Sequence, residues 1–116
     1  MADSLKDLAL QLDQFASERD WQQFHSPKNL ASALVVEAGE LLEHFQWMTE
    51  EQSRALPPER RDAVAGEVAD VLLYLIQLAN ALGLDPVEAA RAKLALNALR
   101  YPVDRARGNS KKHDEL

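Results

Sequence analysis

Two pairs of acidic residues with the same spacing interrupt apolar stretches of this chain. Glu37 and Glu40 form the first pair, and Glu67 and Asp70 form the second. Residues three apart on a helix point in the same direction, so each pair presents two carboxylates on one helical face. Carboxylates in an apolar setting must be neutralised or paired. Two such pairs meeting from packed helices would form a site for a hard divalent cation, either Mg²⁺ or, as a substitute, Mn²⁺.

The apolar setting distinguishes these pairs from acidic residues on a solvated helix face, where a single pair of this spacing most often lies. Leu34 and Leu41 share a helical stripe with Glu37, so the acid interrupts the face that should be buried. His44 follows the first pair, but the residue three positions before it is Leu41 rather than the Glu of a Glu-x-x-His iron motif. The oxygen-only ligand set therefore favours magnesium over iron.

Groups that could bind a phosphorylated ligand follow the acids in the sequence. Lys93 and Asn97 lie one turn apart on a predicted helix, and Arg100 and Tyr101 come next. Lys93 and Arg100 could bind phosphate oxygens, and Asn97 could recognise a sugar hydroxyl or a base edge. The alternative for each residue alone is an ordinary solvated side chain. Since a carboxylate-held divalent cation with open positions most often serves substrate phosphates, these groups suit such a site.

Aromatic side chains supply a second kind of contact. Trp21 and His25 lie in a short segment without helical periodicity, and Trp47 follows the first acidic pair by about two turns. Aromatic faces stack on nucleobases with about 1–3 kcal/mol for each base. Either tryptophan alone could instead belong to the core or to a subunit interface. Tyr74, one turn beyond Asp70, could hydrogen-bond to the acids or simply pack against its neighbours.

Composition and charge exclude several other functions. The chain has 116 residues, a formal net charge of −6 at pH 7 and no cysteine. The negative charge argues against general binding to nucleic acids or anionic membranes, and the lack of cysteine excludes disulfides and thiol catalysis. No apolar run approaches the roughly 20 residues of a membrane-spanning helix, and the first residues lack a signal-peptide core. We therefore expect a cytoplasmic protein with no nucleic-acid and no membrane partner.

Helical periodicity and capping residues predict four helices that would position these groups. Ser4, Ser26 and Asp85 are candidate N-caps, and Gly83 is a candidate helix end. The predicted helices cover residues 5 to about 19, 27 to about 48, 58 to 82 and 86 to 100. The sequence thus predicts a single all-α domain over residues 1–116, an antiparallel four-helix bundle in which the second and third helices lie side by side. This arrangement would bring the two acidic pairs together.

Two further expectations concern the tail and the assembly. Residues from about 103 to 116 are predicted to form an irregular tail. Lys111 and Lys112 within it could close over a polyphosphate, or could serve only to keep the tail soluble. A chain of this length can form a core, but oligomerisation would stabilise it further, so we expect a homo-oligomer.

With these residues in place, the chain resembles the all-α nucleotide pyrophosphohydrolases of the MazG-like superfamily, and most closely their dCTP pyrophosphatase branch. The paired acidic motif is shared across the superfamily, whereas the tryptophan-bearing segments and the Tyr-Pro-Val end are more specific to the branch. The matching segments span about residue 15 to the C-terminus and are Arg19 to His25, Pro27 to Leu30, Glu37 to Leu41, Phe45 to Trp47, Glu67 to Tyr74, Lys93, Asn97 and Arg100 to Val103.

This resemblance implies hydrolysis of a nucleoside triphosphate, dCTP or a 5-modified dCTP in the first place, between its α and β phosphates. It implies that the four acids hold Mg²⁺ and act in catalysis. It also implies a homotetramer built as a dimer of dimers, with sites lined by more than one subunit. It places Trp21 and Trp47 at the base, and Tyr74, Asn97 and Tyr101 around base and sugar. His25, Lys93 and Arg100 are added because of their own chemistry. The substrate-binding candidates are therefore Trp21, His25, Trp47, Tyr74, Lys93, Asn97, Arg100 and Tyr101.

Two positions differ from the pattern of this family. Some relatives carry a histidine in the first helix near the base pocket, where this chain has Leu12, and an aromatic residue often follows the tail lysines, where this chain has His113. The preferred base therefore stays open, with dUTP, a modified or oxidised nucleotide and a broad range of nucleotides as alternatives. A non-catalytic helical protein whose acids bind a metal or mediate assembly is an alternative of another class. Lys93, Asn97 and the aromatic residues favour the enzyme, since metal storage needs none of them.

Overall fold

The regular secondary structure is helical in the computed structural model, which describes residues 4–116. No strand occurs within this range, and the prediction of an all-α fold is confirmed. The elements in chain order are α1 (Leu5–Glu18), a first 3₁₀ turn (Gln22–Phe24), α2 (Pro27–Glu43), α3 (Glu50–Ser53), α4 (Pro58–Leu82), α5 (Pro86–Arg100), α6 (Val103–Ala106) and a second 3₁₀ turn (His113–Glu115).

Two expectations concerned export and membranes. Met1, Ala2 and Asp3, where a signal peptide would begin, lie outside the described residues. No single helix in the described range is long and apolar enough to cross a membrane, although α4 and α5 taken as a bent pair reach the required length and composition.

Side-chain caps set where three of the longer helices begin. The Oγ of Ser4 accepts a hydrogen bond from the N–H of Asp7 at 3.0 Å, and the Oγ of Ser26 accepts one from the N–H of Asn29 at 3.1 Å. Asp85 caps α5 in the same way, accepting from two N–H groups of its first turn at 2.9 and 3.2 Å. Each cap satisfies N–H groups that have no partner within the helix. The predicted starts of α1, α2 and α5 are therefore confirmed.

The ends of α4 and α2 have different causes. α4 ends where Gly83 adopts a left-handed φ of 66°, as its glycine predicted. α2 ends at Glu43, so the prediction that it runs to about residue 48 is wrong. After Glu43 the chain tightens into turns, in which the N–H of Phe45 donates to the carbonyl of Leu42 at 2.8 Å. Such bonds between residues three apart close the helix with a narrower turn.

The described residues up to Leu84 form one compact unit, in which α1 and α2 both pack on α4. His44, directly after the end of α2, lies beside Glu67 in the first half of α4. Leu30 near the start of α2 lines the same cavity as Gln77 near the end of α4. The two helices are therefore antiparallel neighbours, as predicted. The buried core of the described range is small and consists of Ala16, Leu30, Ile76 and Ala79.

Residues from Asp85 onward form a second compact unit, made of α5, α6 and the second 3₁₀ turn. The tail that was expected to be irregular from residue 103 is irregular only in part, since it contains α6 and this turn. Pro102 has a φ of −60° and immediately precedes α6, where its fixed backbone angle favours the start of a helical turn. The rings of Tyr101 and His113 lie 5.9 Å apart within this unit. The single domain and the four-helix bundle stay predictions.

Candidate active site

Three of the four acids predicted to bind metal meet between α2 and α4. Glu37 of α2 and Glu67 and Asp70 of α4 each offer one carboxylate oxygen, and these three oxygens lie within 4.8 Å of one another. The spacing on α4 places Glu67 and Asp70 on one face, and the antiparallel packing brings Glu37 opposite them. Glu37 and Glu67 are half-buried, whereas Asp70 is exposed. Converging carboxylate oxygens are the ligands that a hard divalent cation prefers.

Glu40, the fourth predicted ligand, lies outside this group of three but beside Glu37. The pKa of Glu37 is raised above its usual value, first because its carboxyl group shares a hydrogen bond with that of Glu40. Partial desolvation and the negative charges of Glu40, Asp70 and Glu67 raise this pKa further. We refer to these four residues as the acidic cluster. A bound cation would neutralise the charge that the cluster concentrates.

Two carboxylate oxygens of the acidic cluster are buried without a hydrogen-bond partner in the part of the chain that the structure describes. They are the Oε2 atoms of Glu37 and Glu67. A buried acceptor without a partner costs about 1–3 kcal/mol, and more when it is charged. Coordination of a cation would satisfy both oxygens, and a set of carboxylate donors suits Mg²⁺ or Mn²⁺. The residues therefore fit the predicted cation, and their role as ligands stays a prediction.

The raised pKa of Glu37 predicts a pH dependence of stability in the metal-free protein. The folded state binds this proton more tightly than the unfolded state, so the stability that protonation provides is fully present below the ordinary pKa of 4.5. It is lost as the pH rises through the raised value. We expect the melting temperature in EDTA to fall across this window, and to fall less in Glu37→Gln. Thermal unfolding followed by circular dichroism measures the melting temperatures of the wild type and of Glu37→Gln across this pH range. An equal fall in the two proteins would contradict the prediction.

The structure adds to the site a residue that the sequence placed just after the first acidic pair but that was not among the predicted ligands or substrate-binding residues. The Nε2 of His44 lies 3.8 Å from the Oε1 of Glu67, and both side chains are largely buried. His44 follows Glu40 by four residues and Glu37 by seven, so the three share one face, and this spacing is the signal that could have identified it. The Glu-x-x-His motif places both ligands on one helix, whereas the contact between His44 and Glu67 joins the end of α2 with α4.

A cavity of about 340 Å³ lies farther along the same pair of helices. Leu30, seven residues before Glu37, and Gln77, seven residues after Asp70, both line it. Seven residues are about two helical turns, or about 10 Å, so the cavity and the acidic cluster lie on the same faces of α2 and α4. The other lining residues are Leu12, Asp13, Ala16, Gln22, His25, Pro27, Asn80 and Ala81.

Hydrogen bonds hold some of the polar side chains of this cavity in place. The amide of Gln22 donates to the carboxylate of Asp13 at 3.0 Å, which joins the first 3₁₀ turn to α1. The amide of Asn80 donates to the carbonyl of Ala9 at 3.2 Å, which joins α4 to α1. Since three helices must pack before these groups face one space, no spacing within the sequence could have identified the cavity.

The structure places the predicted aromatic contacts in different surroundings. His25 lines the cavity, and the ring of Trp21 lies 6.4 Å from the ring of His25 in an edge-to-face arrangement. Trp47 is 88% exposed and is not among the residues of the cavity. Tyr74 is half-buried one turn beyond Asp70. Trp21 and His25 are thus brought together beside the cavity, whereas Trp47 is not.

The remaining candidates belong to the second unit. Lys93, Asn97 and Arg100 follow one another on α5 at intervals of four and three residues, so they share one helical face. Tyr101 ends that helix, and its N–H donates to the carbonyl of Asn97 at 2.8 Å. Lys93 and Arg100 are exposed, and Asn97 is half-buried. Two cations and an amide are therefore grouped on one face of α5.

Comparison with known proteins identifies the family. A sequence profile of the MazG-like family matches residues 33–116, a range that contains the whole acidic cluster and all of α5. The chain belongs to the MazG-like family. The mouse (Mus musculus) protein dCTP pyrophosphatase 1 is 45% identical over an alignment of 115 residues, which covers 97% of this chain and 68% of the mouse protein. The human (Homo sapiens) protein of that name is 44% identical over the same shares of both chains. The resemblance to the dCTP pyrophosphatase branch is thereby confirmed.

Two further relatives bear on fold and on the choice of nucleotide. The crystal structure of a pyrophosphatase from Archaeoglobus fulgidus DSM 4304 matches with a TM-score of 0.79 and 37% sequence identity, covering 84% of this chain and 91% of that one. The dATP/dGTP diphosphohydrolase of Cyanophage S-2L is 59% identical over 34 residues, which are 29% of this chain and 32% of the phage protein. The chain is therefore similar to proteins that are named for different nucleotides.

Proposed function

We propose that the chain is a Mg²⁺-dependent nucleoside triphosphate pyrophosphohydrolase that converts dCTP, or a 5-modified dCTP, to the monophosphate and pyrophosphate. The convergence of the carboxylates of Glu37, Glu67 and Asp70 carries the proposal. The relatives named dCTP pyrophosphatase 1 and dATP/dGTP diphosphohydrolase support the enzyme class, a nucleotide diphosphatase. The substrate is assigned from the first of these names, because the identity extends over most of the chain.

The chemistry follows from what the acidic cluster can do. Mg²⁺ bound there would supply Lewis-acid chemistry, lowering the pKa of a nearby water and offsetting the charge of the triphosphate. One of the four carboxylates orients the attacking water or accepts its proton. The water attacks the α-phosphorus in line, and the bond to the bridging oxygen of the β-phosphate breaks so that pyrophosphate leaves. Lys93 and Arg100 are assigned to the phosphate oxygens on the basis of their charge.

The cavity next to the acidic cluster suits the nucleoside end of the substrate. Its volume of about 340 Å³ lies in the range of small-molecule sites, which is about 300–1,000 Å³. It lies about two helical turns from the carboxylates, so a triphosphate held there can direct its nucleoside along the groove between α2 and α4. Leu12 and Leu30 provide apolar contacts, and His25 and Gln77 provide groups that can hydrogen-bond to a base edge.

Trp47 lies outside this cavity, so we propose that it contacts the base of a substrate held by another subunit of the expected oligomer, and its substitution is expected to affect substrate binding rather than folding. Trp47→Ala should raise KM roughly 5- to 150-fold, because stacking contributes about 1–3 kcal/mol for each base. The side chain is 88% exposed, so its loss should leave the melting temperature unchanged. Trp47→Phe, which keeps an aromatic face, is the matched control. An unchanged KM and base preference in Trp47→Ala would remove Trp47 from the substrate site, and a changed native mass would place it in a subunit interface.

We also propose that the chain forms a homo-oligomer, with a tetramer as the expected state. The outward face of α2 carries an apolar stripe formed by Val35, Ala38 and Leu42, in which Val35 is 70% and Leu42 is 59% exposed. A second stripe on α4 repeats every seven residues at Val68, Leu75 and Leu82, which are 50%, 43% and 51% exposed. Soluble helices normally place polar residues on such faces, and contiguous apolar patches mark association sites. A repeat of seven suits packing against another helix.

A nucleotide panel with purified protein and Mg²⁺ tests the proposed reaction, provided that pyrophosphate is resolved from single phosphate. The panel contains dCTP, 5-methyl-dCTP, dUTP, dATP and dGTP, each also assayed in EDTA. Release of monophosphate and pyrophosphate, fastest from dCTP or its 5-methyl form and absent in EDTA, is the expected result. Preference for another base would keep the reaction and overturn the substrate. No Mg²⁺-dependent release from any nucleotide would overturn the enzyme and favour the non-catalytic alternative.

A further inference from the structure

His44 brings a nitrogen-bearing side chain next to the acidic cluster. It comes directly after Glu43, the last residue of α2, and its Nε2 lies 3.8 Å from the Oε1 of Glu67. The two side chains are 20% and 23% exposed, so both are partly withdrawn from water. This contact connects the end of α2 with the middle of α4 at the point where the carboxylates converge.

Both partners of this contact have unmet hydrogen-bonding capacity. The Nδ1 of His44 and the Oε2 of Glu67 are buried without a hydrogen-bond partner in the described residues. The separation of 3.8 Å between Nε2 and Oε1 exceeds the roughly 2.7–3.2 Å of an N–H···O hydrogen bond. A hydrogen bond between these two atoms therefore requires a closer approach than the one seen in the structure. Such a bond would use the Nε2 of His44 and the Oε1 of Glu67, so the Oε2 of Glu67, which is buried without a partner, would stay available to a cation.

The position of His44 distinguishes a supporting role from direct ligation. The group of three converging ligand atoms consists of carboxylate oxygens from Glu37, Glu67 and Asp70, and His44 is not part of it. Its Nε2 lies beside the carboxylate of Glu67. Groups that hydrogen-bond to a metal ligand fix the orientation of that ligand, and their loss typically reduces metal affinity or activity about 10- to 100-fold.

We propose that His44 is a positioning residue that donates its Nε2–H to the Oε1 of Glu67 and holds this carboxylate in the orientation needed for a divalent cation. The inference rests on the proposed function, because it assumes that the acidic cluster binds the cation. It adds a residue from the end of α2 to a site otherwise formed by carboxylates. Because His44 directly follows the last residue of α2, the end of this helix at Glu43 leaves the imidazole ring beside Glu67 of α4.

Three variants of the full chain separate a donor at Nε2 from a structural role. His44→Gln places an amide N–H close to the position of Nε2, whereas His44→Asn places it close to that of Nδ1. His44→Phe keeps a ring of similar size without a donor. Mn²⁺ binding in the absence of nucleotide, followed through the electron paramagnetic resonance signal of free Mn²⁺, gives a readout that does not depend on turnover. Circular dichroism and melting temperature report whether each variant is folded.

We expect His44→Phe and His44→Asn to bind Mn²⁺ about 10- to 100-fold more weakly than the wild type, and His44→Gln to bind nearly as tightly. Activity of the two weak variants should recover as Mg²⁺ is raised, because cation affinity and not chemistry is lost. Equal Mn²⁺ affinity in His44→Asn and His44→Gln would overturn the inference, and it would do so even if His44→Phe did not fold. A wild-type protein that binds no Mn²⁺ would overturn the proposed metal site itself.

Discussion

Replacing Asp70 by Asn is expected to reduce turnover by at least about 10³-fold while leaving the helical content unchanged. Asp70 contributes one of the three converging carboxylate oxygens, yet its side chain is exposed, so the fold does not depend on it. A bound cation supplies several kcal/mol of transition-state stabilisation, and about 4 kcal/mol corresponds to roughly 10³-fold in rate. The amide keeps the shape of the side chain and removes its charge. Pyrophosphate release from dCTP at saturating Mg²⁺ measures the loss.

Asp62→Asn is the matched control for this prediction. Asp62 lies on the same helix eight residues earlier, is also exposed and is not part of the acidic cluster. The same change there should leave the rate within about twofold of the wild type, since surface substitutions usually alter stability by less than about 0.5 kcal/mol. Glu40→Gln should resemble Asp70→Asn, because Glu40 is the fourth predicted ligand and its carboxyl group lies beside that of Glu37. Retention of more than about a tenth of the activity in Asp70→Asn would be incompatible with the metal site as assigned here.

Local chemistry made much of the fold predictable. Ser4, Ser26 and Asp85 each carry a side-chain oxygen that satisfies N–H groups of a first helical turn, so the helix starts could be read from residue type. Gly83 marks the end of α4 because it alone there tolerates a left-handed φ. The meeting of Glu37 with α4 followed from helical spacing and a short connection between neighbouring helices.

Features that depend on packing between helices were not predictable in this way. α2 ends at Glu43 without a glycine or proline to signal it, and the sequence therefore predicted a longer helix, to about residue 48. The contact of His44 with Glu67 joins residues 23 positions apart, and no spacing rule within one helix contains it. The cavity exists only because side chains from α1, α2 and α4 leave a space between them. A sequence pattern shows which residues share a helical face. It does not show which spaces remain between the faces once the helices have packed.

Replacing Val35 by Lys is expected to dissociate the native oligomer and to lower the melting temperature. Val35 is 70% exposed on α2, and a lysine at an exposed position of a monomeric helix would change stability by less than about 0.5 kcal/mol. In an interface between copies the same change would bury an unpaired charge, which costs several kcal/mol. Light scattering measures the native mass. The melting temperature of the wild type should also rise with protein concentration, because association stabilises the folded chain.

Gln11→Lys adds the same charge at an exposed polar position of α1 and should leave both mass and melting temperature unchanged. A wild-type protein that is monomeric at all concentrations, or a Val35→Lys variant with wild-type mass and melting temperature, would contradict the assembly.

Val35 lies two residues before Glu37 on α2, whose inner face carries the first acidic pair while its outer face carries the apolar stripe. Dissociation should therefore loosen the packing that positions Glu37, and activity should fall over the same range of dilution in which the oligomer is lost.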